Sequence, residues 1–289
     1  MRIKARGKIC WTLDILERLP NGYHRLDMLI QSVEQSDYLI ISPSDILTLR
    51  LDNAAPLPCN ETNLVIRAAK LLQEFTGTSL GAAFSLEKHI PIGAGMGGGS
   101  ADAAAALLGL NKLWNLHLSM DTLLSLGLKL GADIPFCLTG GLCRAGGTGE
   151  QLQSLPCPRQ HWLCVIQPCG GLSTKEVFQA FHLEDVLVHP DNETAQRALE
   201  SGKILPLAHS LANVLEEVSA KMRPAIRNAI TELKNHGAVS ALMTGSGSAV
   251  FGLFDTLRQA EAAEKALKYR YPVCFTTCTA TSGCEFLEE

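Results

Sequence analysis

The stretch that most constrains this chain is Pro91-Ile92-Gly93-Ala94-Gly95-Met96-Gly97-Gly98-Gly99-Ser100-Ala101-Asp102. It carries five glycines within seven positions and runs straight into an alanine-leucine segment. Glycine lets backbone N–H groups turn inward without a Cβ in the way. Ser100 reads as the N-cap of a following helix, which adds unpaired N–H groups and the positive end of the helix dipole. Together these features predict a cradle for an anion, above all phosphate. The plain alternative is a flexible glycine turn ahead of a helix. The flanking Lys88-His89-Ile90-Pro91 and the capping serine weigh against it.

Two common cradles do not fit. A Walker A loop ends in Gly-Lys-Ser/Thr, whereas Gly99 leads directly to Ser100 with no lysine. Gly93-Ala94-Gly95-Met96-Gly97-Gly98 matches G-x-G-x-x-G as a string. A dinucleotide site, however, wants that string early in a βαβ unit. Residues 119–130, after the loop helix, read as another helix instead.

The rest of the composition narrows the class. The chain has 289 residues, 46% of them hydrophobic and 19% charged, enough for a substantial core in one large or two modest domains. A net charge of −4 offers no electrostatic footprint for nucleic acid, so phosphates must be held locally by backbone N–H groups and a few placed lysines. The opening Met1-Arg2-Ile3-Lys4-Ala5-Arg6 is not followed by a signal-peptide core, and no run approaches a transmembrane span. None of the ten cysteines falls in a C-x-x-C, which argues against zinc. Reduced thiols serving as small core residues, and a cytoplasmic location, are expected.

Along the chain, Ile9, Trp11, Leu13 and Ile15 alternate with Lys8, Cys10, Thr12 and Asp14, predicting a half-buried strand. Pro20-Asn21-Gly22 marks a turn. Strands are expected through Leu26–Ile30, Tyr38–Ile41, Leu47–Leu51 and Ala83–Glu87. Helices are expected over Asn63–Phe75, Ser100–Leu113 and from a Ser119 cap to Gly131. The composition shifts to Pro, Gln and Ser around 151–160, where a domain boundary is placed. Beyond it come a strand His161–Gln167, a capping box at Ser173-Thr174-Lys175-Glu176 and a variable loop over His182–Thr194. Helices then dominate 195–236, followed by strands Ala238–Met243 and Ala249–Phe254 around Thr244-Gly245-Ser246-Gly247-Ser248. A helix Leu257–Lys268 and a strand Val273–Thr279 close the chain.

Three motifs thus stand in order: the strand with Lys8, the loop Pro91–Asp102 and the late glycine loop Thr244–Ser248. In this order they resemble the GHMP small-molecule kinase superfamily. Pro20-Asn21-Gly22-Tyr23-His24, Asn63-Leu64-Val65-Ile66-Arg67-Ala68-Ala69, Gly131-Ala132-Asp133-Ile134-Pro135 and Ser173-Thr174-Lys175-Glu176-Val177-Phe178 resemble one branch of it. That branch phosphorylates a cytidine-diphosphate-linked methylerythritol on the way to isoprenoid precursors. The resemblance spans nearly the whole chain. It implies a two-domain α+β fold, with an N-terminal domain over 1–155 like ribosomal protein S5 domain 2, an αβ C-terminal domain over 156–289, and the active site in the cleft between. It also implies ATP and Mg²⁺ as cofactors, transfer of the γ-phosphoryl to a tertiary hydroxyl, and a monomer or weak homodimer. The expected partner is a small-molecule substrate, with no nucleic acid and no membrane.

The resemblance assigns the proton-accepting role to Asp133 and phosphoryl stabilisation to Lys8, which also keeps Asp133 ionised. Read without it, Asp133 is a turn cap before Pro135 and Lys8 an exposed lysine. Gly93, Gly95, Met96, Gly97, Gly98, Gly99 and Ser100 are implied to hold the ATP phosphates, with Ser100 also reaching Mg²⁺. Asp102 reads as a surface residue or a partner for the helix dipole. Asn63 and Lys88 match positions near the nucleotide base and ribose. Cys10, Tyr23, His24, Thr174, Phe178, Gly245 and Ser246 are implied on the substrate side, the aromatic residues at the cytidine end; Phe178 equally suits a core position on its helix. Two departures stand out. Cys10 replaces the usual Asn, losing an amide donor and acceptor, and Asn213-Val214-Leu215-Glu216 replaces Asn-Asp-Leu-Glu. The competing readings are a homoserine- or mevalonate-type kinase, against which Tyr23-His24 argues, and a nucleotide-binding relative without catalysis.

Overall fold

The computed structural model describes residues 1–53 and 55–288. Strands β1 (Arg2–Arg18) and β2 (His24–Ser44) form a long antiparallel hairpin. It turns at Pro20-Asn21-Gly22, where Gly22 takes φ 86°. Then follow β3 (Leu47–Leu51), α1 (Leu64–Thr76) and β4 (Gly81–Glu87). The Asn63 side chain accepts from Val65 N at 3.0 Å and so starts α1. The glycine run leads into α2 (Gly98–Leu113), followed by α3 (Met120–Leu130), α4 (Ile134–Thr139), β5 (Leu142–Gly146) and β6 (Gln151–Leu155).

The remainder comprises β7 (Trp162–Gln167), α5 (Thr174–Ala180), a 3-10 turn Leu183–Asp185, α6 (Asn192–Glu200) and α7 (Ile204–Ser210). After these come β8 (Ala212–Asn213), α8 (Glu216–Met222), α9 (Ala225–Asn235), β9 (Ser240–Met243), β10 (Val250–Phe254), α10 (Leu257–Leu267), β11 (Val273–Cys278) and β12 (Cys284–Leu287). One sheet runs β12-β1-β2-β4-β3, with β5 added to β2, β6 to β5 and β8 to β1; the other runs β11-β7-β10-β9. Two short strands from beyond residue 155, β8 and β12, therefore pair with β1. No described helix is long and apolar enough to cross a membrane.

Three local expectations are corrected. The first strand is not half-buried: every residue from Ala5 to Ile15 is buried. Helix α2 covers one face of the hairpin, and Trp11 meets Phe251 of β10 and His161 edge-on at ring-centroid distances of 5.5 and 5.3 Å. Irregularities between Arg6/Lys8, Cys10/Thr12 and Ile15/Glu17 also break the simple alternation. The two strands expected within 26–41 are one continuous β2. Helix α2 begins at Gly98 behind Gly97, which takes φ 71°, so Ser100 lies inside the helix rather than capping it. Its residues Ala101 to Leu107 are all buried, which explains the alanine-rich sequence: small side chains let the helix sit close on the sheet. At Gly109 a Cβ would stand 2.7 Å from Ile3 Cδ1.

Candidate active site

The site forms where β1, the glycine run and the late glycine loop meet. At the first irregularity of β1, Lys8 N–H leaves the ladder and donates to Met96 O at 2.9 Å. Gly7 permits that approach, since a Cβ there would lie 3.3 Å from the same oxygen. At the second, Cys10 N–H donates to Thr244 Oγ1 at 3.0 Å. Ala249 N–H reaches Ala94 O at 3.1 Å, so both glycine loops are stitched to each other and to β1.

A cavity of about 550 Å³ opens over this junction. Gly93, Gly95, Met96, Gly97, Gly98, Gly99 and Ser100 line it on one side, and Lys8, Lys88 and Asp133 also border it. Thr174, Phe178, Gly245 and Ser246 close the far wall. Met96 borders it while being only 1% exposed as a residue. Lys8 is buried, with Nζ 3.8 Å from Asp133 Oδ2 and 3.5 Å from Cys10 Sγ. Burial alone would lower the Lys8 pKa; the Asp133 carboxylate, and after it the Cys10 thiol, outweigh burial and hold the ammonium above its ordinary value. Asp133 stands at the N-cap position of α4, yet its side chain caps nothing. The carboxylate is left for Lys8 and the cavity, which removes the turn-cap reading of this residue. Thr174 and Ser246 join the wall through a 2.9 Å hydroxyl–hydroxyl hydrogen bond.

A second cavity, about 150 Å³, lies on the other side of Phe178, lined also by Arg18, Gly22, His24, Gln179, Phe181 and His182. The His24 ring stands 5.3 Å from the Phe178 ring and 6.1 Å, edge-on, from that of Phe181. Burial, and behind it the Arg18 charge, lower the His24 pKa, keeping the imidazole neutral near neutral pH. Phe178 is thus a wall shared by both cavities while also packing, half-buried, against the core.

Not every expected residue arrives. Cys10 is 1% exposed and sits behind Lys8, outside the cavity wall; the freely exposed cysteine is Cys59. Asn63 spends its amide on the chain: Oδ1 caps α1 and Nδ2 donates to Pro58 O at 2.9 Å. Tyr23 is 65% exposed and borders neither cavity. Thr148 and Leu64 line the main cavity without having been anticipated. For Thr148 the signal lies in the sequence, in the glycine-rich run Gly146-Gly147-Thr148-Gly149.

Lys88 reaches the cavity with its charge already engaged. Its Nζ lies between Asp37 Oδ2 and Asp102 Oδ2, the latter at 2.6 Å. Asp37 Oδ1 also accepts from His89 N at 2.6 Å and Ile90 N at 2.8 Å. Asp102 is therefore a buried ion-pair partner, not a surface residue, and its Oδ1 has no partner. Burial, then the second carboxylate, raise the Asp102 pKa to about 8 against the pull of Lys88. A folded value above the ordinary 3.8 means the folded state holds the proton more tightly. The associated stability is full below the ordinary value and is lost as pH rises through the folded one. Asp102→Asn does not titrate, so its denaturation midpoint should gain on that of the unsubstituted chain between pH 5 and 9. A pH-independent difference would contradict the assignment.

This geometry matches a known class. The family description "GHMP kinases N terminal domain" matches residues 63–141, and "GHMP kinases C terminal" matches residues 193–273. The chain belongs to the GHMP kinase family. It is 41% identical over 262 residues to the 4-diphosphocytidyl-2-C-methyl-D-erythritol kinase of Carboxydothermus hydrogenoformans, covering 90% of this chain and 91% of that relative. A crystal structure of 4-(cytidine 5'-diphospho)-2C-methyl-D-erythritol kinase superposes with a TM-score of 0.83 at 31% identity, covering 98% of this chain and all of that one. A homoserine kinase from Cytophaga hutchinsonii reaches a TM-score of 0.76 over 99% of this chain and 97% of its own, but at 18% identity it shares the fold alone.

Proposed function

We propose that this chain transfers the γ-phosphoryl of ATP to the 2-hydroxyl of 4-diphosphocytidyl-2-C-methyl-D-erythritol, in the synthesis of isoprenoid precursors. The observation that carries the reading is the pairing of two cavities across Phe178, one holding Lys8 and Asp133 beside the glycine run, the other holding His24. A long acceptor with a nucleobase at one end and a hydroxyl at the other suits that arrangement. The names of the relatives point the same way.

In this reading the ATP triphosphate lies along Gly93–Ser100, against backbone N–H groups and the start of α2. Asp133 orients the acceptor hydroxyl by accepting its hydrogen bond and takes the proton late, because the transition state is loose. Lys8 Nζ meets the charge on the transferring phosphoryl. The cytosine lies against Phe178, with neutral His24 at its polar edge. The described residues hold no cluster of three or more His, Cys, Asp or Glu that could cage a metal. Mg²⁺ commonly enters on the nucleotide phosphates with one or two protein oxygens, and Ser100 and Asp133 both face the cavity to provide them. It would neutralise phosphate charge there. All ten cysteines are free, which accords with a cytoplasmic location; a monomer or weak homodimer completes the proposal.

The test is selectivity. His24→Ala and Phe178→Ala should each raise KM for the cytidylated acceptor by about tenfold or more, the worth of one lost stacking or polar contact of ~1.4 kcal/mol. KM for ATP should stay within a few-fold. Unchanged acceptor KM in both variants would remove the base from this cavity and reopen the homoserine- or mevalonate-type alternative.

A further inference from the structure

Asn213-Val214-Leu215-Glu216 bears on the site from behind. Strand β8 adds to the Lys8 strand in parallel, Thr12 facing Ala212 and Leu13 facing Asn213, and Val214 N–H donates to Leu13 O at 3.0 Å. From that anchor Asn213 Nδ2 donates to Met243 O at 2.9 Å and Gly245 O at 2.8 Å, while its Oδ1 accepts from Leu215 N at 3.0 Å. Glu216 Oε2 accepts from Met243 N at 2.8 Å. Ser219 Oγ donates to Ser246 O at 3.0 Å. Asn213 and Ser219 are buried.

Two side-chain hydrogen bonds thus hold the late glycine loop itself, at Gly245 and Ser246, and two more hold Met243 at the end of β9 just before it. On its inner side the loop presses on the catalytic lysine. A Cβ on Gly245 would stand 3.2 Å from Lys8 Nζ and 2.9 Å from Gly95 O. The ammonium is confined between that loop, Cys10 and Asp133.

We propose that Asn213, Glu216 and Ser219 are positioning residues for phosphoryl transfer, bracing the late glycine loop so that Lys8 Nζ stays on Asp133 and on the transferring phosphoryl. This rests on the role given to Lys8 under the proposed function. It also accounts for Val214. The main-chain N–H does that position's work on Leu13, and the side chain packs on the core, so an acidic side chain is dispensable there.

A displaced reactive group loses rate rather than affinity, by up to about a hundredfold for a shift of an ångström. Asn213→Ser should therefore lower kcat by about ten- to a hundredfold, with KM for ATP and for the acceptor within about threefold. Ser219→Ala, which suits a helix and leaves the fold intact, should lower kcat by about three- to tenfold. Glu216→Gln keeps an acceptor oxygen and should stay near the unsubstituted rate, whereas Glu216→Ala should not. Amide hydrogen exchange over residues 244–248 should quicken in Asn213→Ser and Ser219→Ala and not in Glu216→Gln. A folded Ser219→Ala with unchanged kcat and unchanged exchange would overturn the brace, as would a rise in KM at constant kcat. An unsubstituted chain that does not turn over the cytidylated acceptor would instead overturn the functional reading, and the exchange pattern alone would then decide the brace.

Discussion

Asp133→Asn should keep the fold and the ATP affinity and lose at least about a hundredfold in kcat, within the usual range of about 10²–10⁴ for removing a general base. In the proposed reaction the acceptor is a tertiary hydroxyl, crowded and weakly acidic. It needs orientation first and a proton acceptor as the bond forms. The carboxylate at Asp133 is placed for both. It caps no helix turn, faces the cavity, and lies 3.8 Å from Lys8 Nζ. Asparagine keeps the size and one acceptor oxygen but is no comparable base. Lys8→Ala should fall by a similar factor, since removing it leaves Asp133 without its counter-charge and the phosphoryl without a cation. The double variant should lose much less than the product of the two, because the pair acts as one unit. Single-turnover phosphoryl transfer, with calorimetry of ATP binding, measures all three. An Asp133→Asn chain within a few-fold of the original would sink the assignment of the base.

The next largest effect is expected at Gly95. Its φ of 77° lies in the left-handed region, and a Cβ there would fall on the Thr244 carbonyl oxygen and within 3.1 Å of Gly247 N. Both obstacles are backbone, at the point where the two glycine loops meet, so neither can swing aside. The left-handed conformation alone costs alanine about 1–2 kcal/mol, and displacement of the loop adds to it. Gly95→Ala should therefore weaken ATP binding by about a hundredfold, equivalent to ~2.8 kcal/mol. Gly99→Ala is the control. Gly99 is helical, and its Cβ would meet only Leu64 Cδ1 at an ordinary 3.4 Å. If calorimetry found the two variants equal in ATP affinity, the strained approach at Gly95 would not be what shapes the cradle.

What the sequence determined by itself was local. Asn63, Ser119 and Thr256 start α1, α3 and α10 because a side-chain oxygen reaches an N–H two or three residues on, a contact that needs no distant partner. The glycine loop was legible for the same reason: glycines at positive φ and a helix start are properties of consecutive residues. The resemblance to a family placed Lys8 and Asp133 together, and the structure brings them to one cavity. Tertiary structure alone decided the rest. Burial of both faces of β1 depends on α2 and on Phe251, and the strand's irregularities shift which side chains face which way. Asp102 looked like a surface acid at a helix start because its partner Lys88 lies across the glycine loop, 14 residues back, and that partner's second carboxylate Asp37 a further 51 residues before it. The resemblance puts Cys10 on the substrate side, but the hydrogen bond from its N–H to Thr244, 234 residues on, seats it behind the lysine. Strand β12 carries no signal of its own: four residues become a strand only because β1 offers a free edge to pair with.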